Sequence, residues 1–507
     1  MTNRFATYHQ ESGGKTLILF LLFFLAIYQF YNAGYNAFTL ICILPIIIPI
    51  IYATFTWKML TFWALFIINY FVQWWSKNHW IAMPISMYNE LLELLLLGIA
   101  IVDARESPNF DRTMNIMLVA LLMWCGFCTL EVLNDTCNLG INVGNWYAGA
   151  RMMAFQLLYA FLVYVLYINS PKRLIIYIRL WAVLCLFSVF WTWKQIHIGF
   201  TPAENSWLQN VGRTTHILNG GTLTRYFSTH NDAANYGINA AASAVVFLVM
   251  AITTKLKRER LFYLITGILV VWGMFQSGTR TAIFCLALGF IVFLILSKSV
   301  KIMIPSAIVG GLFMGILMFT DIGNGSQQIR RMRSAFNKND ASSNVRSINQ
   351  QAIRKYIKDA PWGIGLGSNY QNVPANNKYR KLATIPPDSE YVFIWVHTGP
   401  IGLTFFLITT AMMFLGACSV VLFKIKNRSL MGVGAGLTGA FAAIQLGGYG
   451  NQVLMQFPNC LMFYGGLAIV YILPYIEPEW VKLEEKRVAE QKERDRLKLE
   501  KKLASRV

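Results

Sequence analysis

The chain has 507 residues, of which 56% are hydrophobic and 14% aromatic while only 13% are charged, about half the charged share usual in soluble globular domains. That composition excludes an ordinary soluble enzyme and places the chain among polytopic membrane proteins. Its formal charge of +20 does not indicate nucleic acid, because the basic residues are scattered through short connections and form no stripe; membrane topology and anionic lipid account for them.

Runs of roughly 18 or more mainly apolar residues can each cross a hydrocarbon core about 30 Å thick as a helix. They recur near 16–32, 36–55, 58–75, 80–102, 114–133, 147–168, 174–195, 234–254, 260–277, 281–297, 302–320, 391–423, 430–448 and 456–476. None shows the ten-residue alternation of a membrane barrel, so the expected fold is all-α with about fourteen spans. No cleavage pattern follows the first run, which is expected to remain as an anchor. Glu90 and Glu93 in the fourth run and Arg179 in the seventh are charges within hydrocarbon-length segments, expected to pair or snorkel. Cys125 and Cys128 form a CxxC. On one helix in an apolar stretch this reads as packing, since a zinc site needs about four ligands.

Lys and Arg gather at 171–173, 255–260, 298–301 and 424–428, in every second connection, which assigns those loops and both termini to the cytoplasm. The connections 196–233, the turn at 277–280 and the stretch from 321 to 390 then face the opposite side. The last is too long for a turn and too polar to cross. Helical segments capped at Asp340 and the serines after it, followed by a break at PWGIGLG (361–367), predict an ordered external domain packed on the helices. From Glu477 onward, ten basic and eight acidic residues predict a solvated helical tail held by i to i+4 pairs. The expected division is 1–195, N-terminal helices; 196–320, helices carrying arginine motifs; 321–390, external loop domain; 391–476, C-terminal helices; and 477–507, the charged tail.

Two short motifs on the outer side carry candidate chemistry. RYFSTHND (225–232) opens one helix and QSGTRTA (276–282) opens another, which sets Arg225 and Arg280 at one depth among hydroxyl residues. A single arginine there can simply snorkel. Two at the same depth suit a pyrophosphate whose lipid tail lies in the bilayer, because guanidinium groups bind phosphate through several donors and stay charged. His230 suits proton transfer, or it is a hydrogen-bonded interfacial histidine that caps the next helix with Asn231 and Asp232. Asp388, held after two prolines, reads both as an N-cap beside Glu390 and as a base for a hydroxyl nucleophile. Between 321 and 390 there are eleven Lys or Arg against five acids, and Arg331, Arg333 and Arg346 are placed to face the membrane. With Tyr226 and Asp232 they complete the expected substrate contacts. No DxD, HExxH or histidine pair at helical spacing appears on the outer face, so neither metal nor cofactor is expected.

The order R-x-F-S-x-x-x-D-A-A-x-Y-G, S-G-T-R-T-A, a long external loop containing P-x-G-I-G-L-G, then D-S-E-Y-V ahead of H-T-G-P-I-G-L resembles the O-antigen ligase and polymerase superfamily over roughly residues 200–415. The resemblance implies a metal-independent, GT-C-like glycosyltransferase of the bacterial inner membrane. Such an enzyme takes a glycan from undecaprenyl pyrophosphate on the periplasmic face, an acceptor hydroxyl attacking the anomeric carbon. Arg225 and Arg280 fall where the family holds the pyrophosphate. The lipid-linked glycan and the bilayer are the implied partners, with a chain-length regulator as a further one. Ligases of the family place a histidine base at the end of the long loop. Here that place reads Asp388, Ser389, Glu390, and His397 lies seven residues past Glu390, which leaves Asp388, Glu390 or His230 to act. The missing histidine favours a polymerase over an O-antigen ligase or a protein O-oligosaccharyltransferase. A transporter or flippase for an anionic lipid-linked substrate belongs to another class. It would need polar groups through the midplane, and the helices after residue 234 are nearly free of mid-span charge.

Overall fold

A computed structural model describes residues 52–80, 85–103, 110–334 and 341–504, with isolated positions before residue 52. The expected spans 16–32 and 36–55 lie largely outside the described residues, and the cap at Asp340 wholly so. The chain divides into two compact units, residues 1–64 and 65–507. In the first, the described positions are mostly helical, and Thr56 Oγ1 donates to the Tyr52 carbonyl at 2.9 Å. Helix α1, Lys58–Lys77, begins there and continues into the second unit.

Among its described residues the second unit is all-α apart from one small hairpin. In chain order it contains α2 Ile85–Val102, α3 Ile116–Leu130, α4 Val143–Tyr167, α5 Pro171–His197 and α6 Pro202–Asn210. Strands β1 Ile217–Leu218 and β2 Leu223–Thr224 then pair antiparallel, Ile217 opposite Thr224. After them come α7 Ala233–Thr253, α8 Lys257–Gln276, α9 Thr281–Leu296 and α10 Val300–Phe319. The outer stretch contributes α11 Gln327–Arg333 and α12 Ala341–Ile357. The last three helices are α13 Glu390–Lys424, α14 Arg428–Gly450 and α15 Asn459–Ala504. Among the described residues, seven helices are long and apolar enough to cross a membrane.

Local sequence sets the helix starts. Asn115 accepts from the amides of Met117 and Leu118, Asn427 accepts from Ser429 and Leu430, and Thr201 with Glu204 forms a reciprocal capping box, each satisfying amides that a helix start leaves orphaned. Helices α7 and α14 form the buried centre, with nearly every side chain enclosed. Helix α7 also meets α15 and α5 through neutral polar contacts. Asn239 donates to Asn459 at 2.8 Å, Asn459 to Asn235 at 3.2 Å, and Trp181 to Ser243 at 3.1 Å.

The basic connections meet at one end of these helices together with the start of the charged tail. Lys255 pairs with Glu484 at 2.8 Å, Arg179 and Arg487 both reach Glu259, and Glu477 accepts the amide of Lys426 at 2.8 Å. The tail is continuous with the last span: α15 runs through the expected boundary at 477 as one helix. A small cavity of about 20 Å³ opens at this end, lined by Met250, Glu259, Trp480 and Glu484 among others. It lies at the opposite end of α7 and α8 from the arginine motifs.

At the other end, the 361–367 loop docks on a break in α13. Pro400 lacks an amide hydrogen and Gly399 adopts φ 67°, ψ −175°, which frees carbonyls of the preceding turn. The amides of Ile364 and Gly365 take them up, bonding Val396 and His397 oxygens at 3.0 Å each. A Cβ on Gly399 would lie 2.0 Å from the Pro361 oxygen. The glycines of P-x-G-I-G-L-G therefore serve backbone contact. Ile353, Ile357, Ile364, Val373, Leu382 and Val396 close a hydrophobic core around this junction.

Candidate active site

The site is assembled from three backbone ends: the hairpin after α6, the N-terminus of α7 and the α8 to α9 turn. Asn219–Gly221 turns the hairpin, with Gly220 and Gly221 at positive φ, and β2 delivers Arg225 directly afterwards. Arg225 Nε donates to the Ser277 carbonyl at 3.1 Å, Nη1 to the Thr215 carbonyl at 2.9 Å and Nη2 to Thr279 Oγ1 at 3.0 Å. Thr279 in turn donates to the Ala233 carbonyl at 2.8 Å. The arginine thus ties all three ends together. The α8 C-terminus, with its outward carbonyls, is a favourable place for cations.

Arg331, from α11, donates through Nε to the Gly278 carbonyl at 3.0 Å. Gly278 sits between two of the arginines, because a Cβ there would lie 3.2 Å from Arg331 Cδ and 3.4 Å from Arg225 Cγ. Arg280 follows two residues later, its Nη1 3.4 Å from Ser334 Oγ. Burial, then the positive charge of Arg331 and that of Arg280, pull the Arg225 pKa down to about 10, with Asp232 opposing. Such a like-charge cluster is costly without an anion.

The first helical turn of α7 is held by two residues. Asp232 caps it, accepting from the Asn235 amide at 2.8 Å and the Asn235 side chain at 2.8 Å. His216 Nε2 accepts from the Ala233 amide at 3.0 Å, which leaves the proton on Nδ1, 3.1 Å from the Gly212 carbonyl. Burial and the neighbouring Arg225 push the His216 pKa down to about 4. The sequence reading did not single out His216, although the Asn-Gly-Gly after it is a hairpin signal. Lys77 was also missed. Its ammonium donates to the carbonyls of His230 at 3.1 Å and Asn231 at 2.7 Å, and stands 3.7 Å over Trp207 and 3.8 Å over Phe227. Tyr226 stacks on Phe200, ring centroids 6.0 Å apart, beside Arg225.

The three candidate bases are placed very differently. His230 is 1% exposed and packs against Tyr70 and Tyr236. Burial pushes its pKa down to about 3, far from the range of an effective general base at neutral pH. Glu390 is 3% exposed, and its carboxylate takes the Leu454 amide at 3.0 Å; it fastens the chain after α14. Asp388 is half-buried and accepts from Asn349 of α12 at 2.8 Å.

Asp388 is linked to the arginines through the end of α14. Ser389 Oγ donates to the Gly448 carbonyl at 3.0 Å, and Arg346 Nη2 to the Gly450 carbonyl at 2.6 Å. Gly450 itself abuts Thr281, the neighbour of Arg280: a Cβ there would lie 2.6 Å from Thr281 Oγ1. Among the described residues the hydrogen bonds of Arg333 lie elsewhere. It folds the loop after α10, donating to the carbonyls of Leu317 at 2.9 Å and Ile322 at 2.5 Å and to Asn324.

No curated protein matches the chain. Residues 265–407 match the family model Wzy_C, described as O-antigen ligase. The matched segment takes in Arg280, Arg331, Arg346, Asp388 and the broken helix. With its all-α architecture and membrane-length helices, the protein thus carries at residues 265–407 a domain of the O-antigen ligase and polymerase superfamily.

Proposed function

We propose that the protein is a glycosyltransferase that polymerises undecaprenyl-pyrophosphate-linked oligosaccharide units at the periplasmic face of a bacterial inner membrane. It would do so with a GT-C-like fold of about fourteen spans and both termini in the cytoplasm. The five-part division from the N-terminal helices to the tail belongs to the same reading. The observation that carries it is the gathering of Arg225, Arg280 and Arg331 around Gly278, one element away from Asp388.

In this reading Arg280 and Arg331 hold the pyrophosphate, and Arg225 adds charge while bracing the turn that presents them. The acceptor hydroxyl oxygen bonds to the anomeric carbon as the bond from that carbon to the phosphate oxygen breaks. The electron pair leaves with the lipid pyrophosphate, where fixed guanidinium groups stabilise it. The hydroxyl proton passes to Asp388, oriented by Asn349. Arg346 and Tyr226 flank the glycan, and Asp232 acts through the α7 terminus that it caps.

Transfer to a lipid A core or to a protein hydroxyl is the alternative outcome of the same chemistry. Transport is disfavoured by the neutral, closed network between α7 and α15. Purified enzyme given lipid-linked oligosaccharide tests the proposal. A product ladder indicates polymerisation and a single transfer to an added acceptor indicates ligation. Turnover unchanged in both Arg280→Ala and Arg225→Ala removes the pyrophosphate assignment.

A further inference from the structure

Helix α14 is enclosed along almost its whole length, and among the described residues from Ser429 to Gly450 Tyr449 alone is exposed, at 67%. Neighbours close the other sides of the helix end. A Cβ would lie 2.4 Å from Ile238 of α7 at Gly447, 2.8 Å from Leu454 at Gly448 and 2.6 Å from Thr281 of α9 at Gly450. Gln445 stands one turn earlier, on the face of Tyr449. It meets α13, where the Tyr391 hydroxyl lies 3.1 Å from its side-chain oxygen. The open side of the tip is therefore the side towards the start of α13, directly after Asp388.

The backbone on both sides of Tyr449 is bound into the site. The Gly448 carbonyl accepts from Ser389, next to Asp388, and the Gly450 carbonyl accepts from Arg346. Thr281, against Gly450, adjoins Arg280. Among the described residues no other ring packs on Tyr449 and its hydroxyl has no hydrogen-bond partner. A tyrosine at a membrane boundary commonly anchors in the headgroup belt. That role suits a helix that faces lipid, whereas α14 is buried among its neighbours.

In the transfer proposed above, the reacting sugar lies between its leaving phosphate and the acceptor hydroxyl, hence between Arg280 and Asp388. Tyr449 occupies that interval in the chain of contacts. We propose that the Tyr449 ring is the platform on which the pyranose joined to the pyrophosphate stacks, an assignment that rests on the glycosyltransferase reading and adds to it the residue that recognises the sugar. One face of a pyranose presents C–H groups that pack on an aromatic face, while its rim hydroxyls stay free for water and hydrogen bonds. Tyrosine offers such a flat, amphipathic surface at low entropic cost.

The test measures binding to purified full-length protein of two probes that differ only in the sugar: undecaprenyl-pyrophosphate-linked oligosaccharide and undecaprenyl pyrophosphate alone. Tyr449→Ala should weaken the first roughly tenfold, the scale of removing one anchoring aromatic. It should leave the second unchanged, which also shows that the variant is folded. Tyr449→Trp should keep the sugar-dependent affinity, and Tyr449→Leu, apolar but without a flat ring, should lose it as alanine does. In turnover the loss should appear as a higher KM for the sugar donor. Equal weakening of both probes by Tyr449→Ala, weakening of neither, or full affinity in Tyr449→Leu overturns the platform and leaves the pyrophosphate assignment standing. Arg280→Ala should weaken both probes alike; unchanged binding of both there overturns the pyrophosphate assignment, and the platform with it.

Discussion

Arg225 acts as a strut as well as a charge, since Nε and Nη2 donate to Ser277 and Thr279 of the α8 to α9 turn and Nη1 to Thr215 ahead of the hairpin. Arg225→Ala should therefore lower both the melting temperature and the rate. Arg225→Lys keeps the charge but cannot reproduce the fork, so it should restore little of either. Arg280→Ala should reduce kcat about 100- to 1000-fold, the usual effect of removing one donor aimed at developing charge. For the base, Asp388→Asn should lower kcat by about 100- to 10,000-fold with KM little changed. Glu390→Gln should instead appear mainly in unfolding, because its carboxylate serves the amides after α14. The histidines make an opposite kind of contribution. His216 and His230 are buried neutral, with pKa values pushed down to about 4 and about 3 from an ordinary value near 6.5. Between those limits the unfolded chain binds more protons, so stability falls as pH drops from about 6.5 and levels off below about 3. Thermal melts across that range should show the fall, and His216→Gln should flatten its upper part.

At the scale of elements, short connections decide the geometry more than the helices do. The break at Gly399 and Pro400 leaves carbonyls that the 361–367 loop satisfies. Gly399 also has a φ that other residues rarely adopt and no room for a Cβ. Gly399→Ala should thus destabilise the protein by about 1–3 kcal/mol or more, and limited proteolysis should show earliest cutting in the 361–390 stretch. The all-α membrane character was legible from the sequence, and so was the cap at Asp232, since apolar runs and capping residues are local signals. The hairpin was not, because its two strands have only two residues each and carry no periodicity. The continuity of α15 through Pro474 and Pro478 was also hidden, as a shift from apolar to charged composition looks like a boundary even where the backbone continues.

For the whole molecule, the alternation of basic connections correctly anticipated which loops share an end. Lys255, Glu259, Lys426, Glu477 and Glu484 meet on one side, and Arg225, Gly278, Arg331, Arg346 and Gly450 on the other. The sequence by itself determined the all-α membrane character and the resemblance to the O-antigen ligase family that the match over residues 265–407 supports, because hydropathy and motif order are written along the chain. Only the tertiary structure decided that Arg331 joins Arg225 and Arg280 while the hydrogen bonds of Arg333 lie elsewhere, and that His230 and Glu390 are buried while Asp388 remains half-exposed. It also left Glu93 with no partner among the described residues. Those outcomes depend on contacts between residues tens to hundreds of positions apart, which burial and hydrogen-bond geometry settle only once the helices have packed.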